Sequence, residues 1–301
     1  MRGYPHAIIL PGLTDVTQLT DVRAAYNFTD IVERSAGQAA PQWSGSEDAV
    51  PAFNGATPQI KDILDACTVD DIIGDLSAGN VDLLYKAAKS GAIRQGDAEL
   101  AHLRARLEAN AILYWERIRA TSRQAAEIDF RFLPIWDGTT DPLVWTGSLA
   151  LSGTSAVQGR YTMGKVALNG TDLSLVQEWT LENNITPDEV FGDGSPYLLE
   201  AGIDEYSPTL VARTRDLSVM ATYGGTGTAL TSLAAYLKKK KASGINEPDA
   251  TAAHIKITGS AGTIKAREVS GLKGVAEIFV QLVKPAAGTA PFVVDTASAI
   301  T

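Results

Sequence analysis

The stretch "DAELAHLRA" (Asp97 to Ala105) lies over "DATAAHIKI" (Asp249 to Ile257), with Asp, Ala, Ala and His matched at one constant spacing of 152 residues. A chain of 301 residues that repeats itself at half its length is restricted to folds that can be built twice. Two of its three histidines, His102 and His254, are this matched pair. Upstream, Ser90-Gly91 lies over Ser243-Gly244, Tyr85 near Tyr236, and Pro58 of "PQIKDIL" near Pro208 of "PTLVARTRDL". Downstream, Ala126-Glu127-Ile128 lies over Ala276-Glu277-Ile278, Gly138-Thr139 over Gly288-Thr289, and Pro142 near Pro291. The expectation is two tandem domains, residues 1–152 and 153–301. The Ser/Gly-rich "SLALSGTSAVQGRY" serves as the linker between them.

The repeat decides an ambiguous segment. "DAELAHLRARLEANAILYWERIRATSRQ" alone has the composition of a long amphipathic helix. Its counterpart, "DATAAHIKITGSAGTIKAREVSGLKG", is β-branched, alternating and broken by glycine turns, as strands are. Both are therefore read as strand, Arg104–Leu107 and Ile112–Arg119 included. Each copy begins with strands, "DVRAAYNFTDIVE" in the first and "VALNG" and "LSLVQEWTLEN" in the second. A long polar loop follows, "RSAGQAAPQWSGSEDAVPAFNGATP" or "TPDEVFGDGSPYLLEAGIDEYSP". Another strand comes next ("LVARTRDLSVMATYG" in the second copy), then one helix, "NVDLLYKAAKSG" or "TALTSLAAYLKKKKASG", then closing strands. The predicted fold class is mainly β: two tandem β-sandwich or half-barrel domains, each with one flanking α-helix.

Composition narrows the function. The chain is 45% hydrophobic and 20% charged, as globular proteins are. Its one cysteine, Cys67, rules out an intrachain disulfide. "MRGYPHAIILPG" has four consecutive apolar residues before Pro11, fewer than a signal-peptide core needs, so the chain is read as folding in a cytoplasm. No stretch approaches the ~18 apolar residues of a membrane span. A net charge of −9 and a pI near 4.9 weigh against broad contact with nucleic acid, which draws on a Lys/Arg surplus. The imbalance is concentrated in residues 1–150, with 20 acids against 13 bases; residues 151–301 have 15 against 13.

Motifs that would carry chemistry fail in their details. "GRYTMGKV" has phosphate-loop spacing, but Val166 stands where magnesium needs Ser or Thr, and strand and turn follow instead of a helix. "YGGTGTAL" is read as a flexible turn before a helix capped by Thr226 or Thr228. "WDGTTDP" lacks the further acids of a calcium loop and is read as a hairpin turn. The dispersed histidines make no zinc set; His102 and His254 are expected to do one packing job twice. No Gly-x-Ser-x-Gly elbow is present. The reading is of a non-enzyme with no catalytic, cofactor or metal site. Residues 186–206 hold six acids and no Lys or Arg, interleaved with Phe191, Tyr197, Leu198, Leu199 and Ile203. That mixture points to a loop docking on another subunit.

The order "YTMGKVALNGTDLSLVQEWTLENN", the "DGSPYLLEAG" loop, "LTSLAAYLKKKKASG" and the closing "AHIKITGSAGTIKAREVSGLKGVAEIFVQLV" together resemble the major tail tube proteins of long-tailed bacteriophages. The resemblance covers most of residues 158–285 and extends more loosely to the first copy. It implies a β-sandwich or half-barrel whose sheets close into rings. A duplicated chain would make a homotrimeric, pseudo-hexameric ring, and the rings would stack into a conduit for genome ejection. It implies as partners the chain itself and other tail proteins such as tape measure, terminator and distal tail proteins. DNA would pass an acidic lumen without specific binding. The place is the virion tail, after synthesis in the host cytoplasm. Asp70, Asp71, Asp75 and the acids of the long loops are the candidates to face that lumen. A distal tail or baseplate ring of the same fold is an alternative, as is a carbohydrate-binding β-sandwich module. The four lysines Lys238–Lys241 are read as a helix end capped by Gly244, with the sharper possibility that they pair with the acidic loop of a neighbouring ring.

Overall fold

A computed structural model describes residues 3–13, 15–33, 43–90, 93–108, 110–151, 159–192, 197–269, 274–288 and 290–301. The first half runs β1 (Gly3–Ile9), β2 (Asp21–Glu33), β3 (Trp43–Thr57), helix α1 (Ile60–Ala66), β4 (Ile73–Asp75), β5 (Val81–Ser90), β6 (Ile93–Arg94), β7 (His102–Leu107), β8 (Ala111–Thr121), β9 (Glu127–Pro134) and β10 (Leu143–Leu149). The second half runs β11 (Tyr161–Leu168), β12 (Thr171–Asp172), β13 (Val176–Glu182), β14 (Thr186–Phe191), β15 (Leu198–Glu205), β16 (Thr209–Thr214), helix α2 (Val219–Tyr223), β17 (Thr228–Leu230), β18 (Leu233–Lys239), β19 (His254–Gly259), β20 (Gly262–Val269), β21 (Val275–Leu282) and β22 (Val293–Ser298). The chain is mainly β, in open antiparallel sheets and not a closed barrel. Half of the expected linker, residues 152–158, lies outside the described residues, as do residues 34–42 of the first expected long loop, whose residues 43–57 are not a loop but the strand β3.

Two small sheets have the same strand order, β1-β5-β7-β10 and β11-β18-β19-β22. Their registers also correspond. Val81 faces Leu107 as Leu233 faces Gly259, and Arg104 faces Thr146 as Lys256 faces Asp295. The matched histidines are the clearest case. Both are fully buried. His102 Nδ1 accepts the Ala87 N–H at 3.1 Å and its Nε2 faces Gly96 O at 2.8 Å. His254 repeats this with the Lys239 N–H at 3.1 Å and Pro248 O at 3.0 Å. Each buried ring thus has both of its nitrogens satisfied by backbone groups.

The remaining strands form one ten-stranded sheet in the order β17-β20-β21-β16-β13-β8-β9-β3-β2, with β4 beside β8. β13 pairs with β8, so the sheet runs without a break from the second half of the chain into the first. Its inner face carries Trp115, Ile118, Trp179, Leu181 and Ile278. One buried cluster joins these to Leu83 and Ala105, to Leu237 and Ile257, and to both helices. There is one continuous core, not two separate ones.

The expected helices are strands. "NVDLLYKAAKSG" holds β5 and "TALTSLAAYLKKKKASG" holds β17 and β18. In β18, Leu233, Ala235 and Leu237 are buried with a period of two, and Tyr236 is buried on the opposite face. A strand with apolar residues on both faces gives an almost unbroken apolar run, which helical spacing fits equally well. The actual helices are short. α1 buries Ile60, Ile63 and Leu64, and α2 buries Val219 and Tyr223; neither has a side-chain N-cap bond that would announce it. The sequence alignment also slips. Thr57 Oγ1 donates to Gln18 O and accepts from the Gln59 N–H, and Thr214 Oγ1 does the same with Ser174 O and the Asp216 N–H. Thr57 faces Ile128 and Thr214 faces Ala276. Ile128 therefore takes the place of Ala276 rather than Ile278, and Pro58 does not answer to Pro208. Likewise Leu84, not Tyr85, holds the place of Tyr236.

Replacing either histidine by alanine removes two hydrogen bonds of a buried ring and opens a cavity. His102→Ala and His254→Ala are each expected to lower unfolding free energy by about 2–4 kcal/mol, by similar amounts, in urea unfolding. A loss below ~0.5 kcal/mol for either would show that its ring does not hold the turn it caps.

Candidate interaction surface

Opposed residues in an antiparallel sheet share a face, so the register defines the outer face of the large sheet. One row runs Arg267, Glu277, Arg213, Glu178, Thr121. A second runs Gln281, Thr209, Glu182, Arg117, Asp129, Ala56, Asp21. In the first row, Arg213 bonds Glu277 and Glu178, both at 2.7 Å, and Arg267 bonds Glu277 at 2.6 Å. In the second, Arg117 bonds Asp129 at 2.6 Å and lies 3.9 Å from Glu182. The Glu277 side chain is only 4% exposed. Burial would raise its pKa, but hydrogen bonds and charge from the two guanidiniums outweigh that and hold it below the ordinary carboxylate range. Arg267 also stacks over Phe279 at 4.5 Å.

This face alternates in charge rather than being acidic. Asp70, Asp71 and Asp75 are engaged elsewhere. Asp70 accepts from Tyr206 Oη at 3.1 Å, Asp71 from the Val294 N–H at 2.8 Å, and Asp75 from the Ser77 N–H at 2.8 Å. The acidic loop of residues 186–206 is a β-hairpin of β14 and β15, with residues 193–196 outside the described set. It docks on its own chain, where Leu198 packs with Tyr114 and Leu133. Leu198 O accepts from the Trp136 N–H at 2.8 Å, and Tyr197 Oη donates to Asp141 at 2.8 Å.

The other motifs resolve into structure. "GRYTMGKV" is largely β11, and Lys165 reaches Asp172 at 3.2 Å. "YGGTGTAL" follows a helix instead of preceding one; Gly225 and Gly227 have φ of +97° and +119°, and Thr228 opens β17. In "WDGTTDP", Asp137 accepts the Thr139 and Thr140 N–H groups, an Asx turn. It links β9 and β10, which belong to different sheets, so it is not a hairpin. No group of three His, Cys, Asp or Glu placed to hold a metal occurs among the described residues. Cys67 is buried, and burial pushes its thiol pKa up.

The lysine run is not a helix end. Lys238 and Lys239 finish β18, and Lys241 to Gly244 make a turn in which Gly244 has φ of +82°. Lys238 pairs with Asp249 at 2.9 Å and Lys241 with Glu247 at 3.5 Å. Sequence reasoning missed two further features. The outer edge of β20 carries β17 over Gly262–Ile264 and an isolated bridge from Gly224 at Ala266, and from Arg267 to Val269 it has no neighbouring strand among the described residues; nor has the outer edge of β2. Alternating charge at i, i+2 in "KAREV" was the available sign of a half-exposed strand. No family model matches the chain, and no curated protein matches it in sequence.

Because Glu277 ionises more readily when folded, its ion pairs add stability above about pH 4.3 and lose it as the pH falls through the lowered folded pKa. Glu277→Gln is expected to destabilise the protein at pH 7 by about 1–2 kcal/mol, since both guanidiniums stay largely in water. The gap from the wild type should close below pH 4. An equal gap at pH 7 and pH 3.5 would assign the loss to packing instead of charge.

Proposed function

We propose that the chain is a structural tail tube protein of a long-tailed bacteriophage. In this reading it is a duplicated tube domain that forms trimeric, pseudo-hexameric rings stacked into a conduit for the genome. The observation that carries this reading is the β8–β13 join. Two sets of strands, β4-β8-β9-β3-β2 and β17-β20-β21-β16-β13, meet edge to edge there. Corresponding edges are left over at the extremes of the sheet. The Arg117–Asp129 pair has its counterpart in Arg267–Glu277, and Thr57 its counterpart in Thr214. Repeating the internal join between chains sets Arg23–Ala25 of one copy beside Arg267–Val269 of the next. An asymmetric contact of this kind either closes a ring or runs on as a filament, and closure removes the exposed strand edges. Three chains supply six equivalent joins.

The outer face of the large sheet then lines the lumen. Arg117, Arg213 and Arg267 on it are already bonded to carboxylates, so a phosphate passing them would have to displace an ion pair to bind, while Arg119 and Lys265 in the row between have no ion-pair partner among the described residues. The paired part of the face supports a channel with little hold on DNA, by paired charge rather than by an acidic surplus. The partners in this reading are the chain itself and other tail proteins, the tape measure, terminator and distal tail proteins among them, with the virion tail as the location. The chain has no catalytic role in it. A distal tail or baseplate ring would use the same edges, and copy number in virions separates the two. A carbohydrate-binding module draws little support: Trp115 and Trp179 are buried, and of the four tryptophans whose side chains are described, Trp115, Trp136, Trp145 and Trp179, Trp145 alone is exposed.

The test uses the free edge of β20. Successive residues turn their N–H groups to opposite sides of a strand, so one of Arg267→Pro and Glu268→Pro removes an outward donor and the other an inward one. Light scattering of the wild type should give three times 31.8 kDa, and micrographs should show rings. The outward variant should stay folded and monomeric. A wild type that is monomeric at high concentration, or a folded outward variant that still makes trimers, would sink the reading.

A further inference from the structure

Behind the β8–β13 join, the last strand of the chain, β22, lies against α1 of the first half. Lys61 Nζ donates to Thr296 Oγ1 at 2.9 Å, and Thr296 Oγ1 to Asp65 at 2.7 Å. Trp115 and Val294 meet at Asp71: the indole N–H donates to Asp71 O at 2.7 Å and the Val294 N–H to its carboxylate at 2.8 Å. Phe292 packs on Trp115 with ring centroids 5.8 Å apart. With α1 so covered, Ile60, Leu64 and Cys67 are at most 5% exposed.

The counterparts of these elements stand bare. α2 repeats α1, since Thr57 and Thr214 precede the two helices with the same bonds and Cys67 and Gly224 close them. Counted from those matches, Ile60, Leu64 and Cys67 become Leu217, Ala221 and Gly224, all exposed, Leu217 at 44%. β10 repeats β22: Trp145 faces the buried Ala105 as Val294 faces the buried Ile257. Trp145 is nevertheless 46% exposed, stacked on Tyr85 at 5.6 Å. Ala266 holds the place of Trp115, because Trp115 faces Phe130 as Ala266 faces Ile278. Beside Ala266 lies the exposed turn Gly224–Gly227, bridged to it at Gly224. A Cβ on Gly225 would meet no atom within 4 Å.

We propose that Trp145 of one chain is seated on a second copy, in a socket made by Ala221, the Gly224–Gly227 turn and Ala266. The internal contact names this occupant: repeating the join between chains carries β10 of one copy onto α2 of the next, as β22 lies on α1 within a chain. The volumes are exchanged. Within the chain, a tryptophan on the sheet meets a valine on the last strand. Between chains, the sheet offers alanine and glycines, and the strand brings the tryptophan. Large opposite small fills the layer both times. Halves meeting in the wrong order would set Trp145 against Trp115, or leave Val294 over Ala266 with a void, so the exchange also fixes the alternation of halves. A half-exposed indole entering a socket of small residues is the kind of anchor that dominates an interface. The inference rests on the ring reading and adds a side-chain anchor to its sheet edge.

Trp145→Ala and Ala266→Val test it, with assembly followed by light scattering over a range of concentrations and folding by urea unfolding. Trp145→Ala should stay folded and raise the concentration of half-assembly by at least about 30-fold, the loss expected of a buried anchor. Ala266→Val narrows the socket. It should weaken assembly about tenfold or more when Trp145 is present, and less than about threefold alongside Trp145→Ala, because the clash leaves with the indole. A folded Trp145→Ala that assembles within about threefold of the wild type overturns the proposal and leaves the ring reading standing. Equal weakening by Ala266→Val in both backgrounds does the same, since it puts the two residues in separate contacts. A wild type that forms no trimer overturns both readings. Binding of maltoheptaose by the wild type, lost in Trp145→Ala with assembly unchanged, would reassign the Tyr85–Trp145 pair to carbohydrate.

Discussion

Five residue pairs between β8 and β13, from Thr121–Glu178 to Arg117–Glu182, make one sheet out of two sets of strands. The rest of the architecture follows from that contact. It puts Trp115 and Trp179 into the same buried cluster, so the halves share a core. It occurs beside a bulge in β8 between Trp115 and Arg117, where the ladder would leave backbone groups unpaired. Asn183, fully buried, fills that gap. Its N–H donates to Glu116 O at 2.9 Å and its Nδ2 to Trp115 O at 3.0 Å, while its own carbonyl accepts from the Ser207 N–H. The residue that follows β13 thus ties the join to the segment leading into β16, the neighbouring strand of the sheet.

The join also explains why the outer face can be charged without being sticky. In a sheet with one buried face, the other takes every second residue. Here arginines and carboxylates fall opposite one another across four strands, and each Arg–carboxylate pair neutralises itself. Arg119 and Lys265 remain unpaired on this face among the described residues, and more free charge collects at the sheet ends, acidic on the β14–β15 hairpin and basic in the cleft around Lys240. The net charge of −9 is thus a poor guide to any one surface, because pairing and not composition decides what a ligand meets.

Several elements were legible in residue order. "DVRAAYNFTDIVE" is β2 to the residue, and the repeated Asp-x-x-x-Ala-His pattern led to two buried rings with the same bonds. The comparison of halves correctly turned "HLRARL" and "AILYWERIRAT" into strands against their helical propensity. It failed where local pattern is ambiguous. β5 and β18 have apolar residues on both faces, with Leu84 and Tyr236 buried on the outer one, and these runs imitate a helix. The two real helices are too short and uncapped to show a period. The acidic loop was legible as interleaved acid and apolar residues, but its hairpin, and the fact that Leu198 docks on its own chain, depend on where β8 and β9 lie.

Alternation, β-branching and the half-length repeat carried the mainly β character and the twin histidines, because these follow from the side-chain period along one strand and from the buried backbone groups beside it. Which strands meet did not follow from them. The β8–β13 join, the open edges of β2 and β20, the pairing of Glu277 with two arginines and the gathering of Arg123, Arg160 and the lysines into one cleft link residues far apart in the chain. Such contacts are selected by the packing of the whole core, and so the surfaces on which the proposed assembly rests appear only in the folded chain.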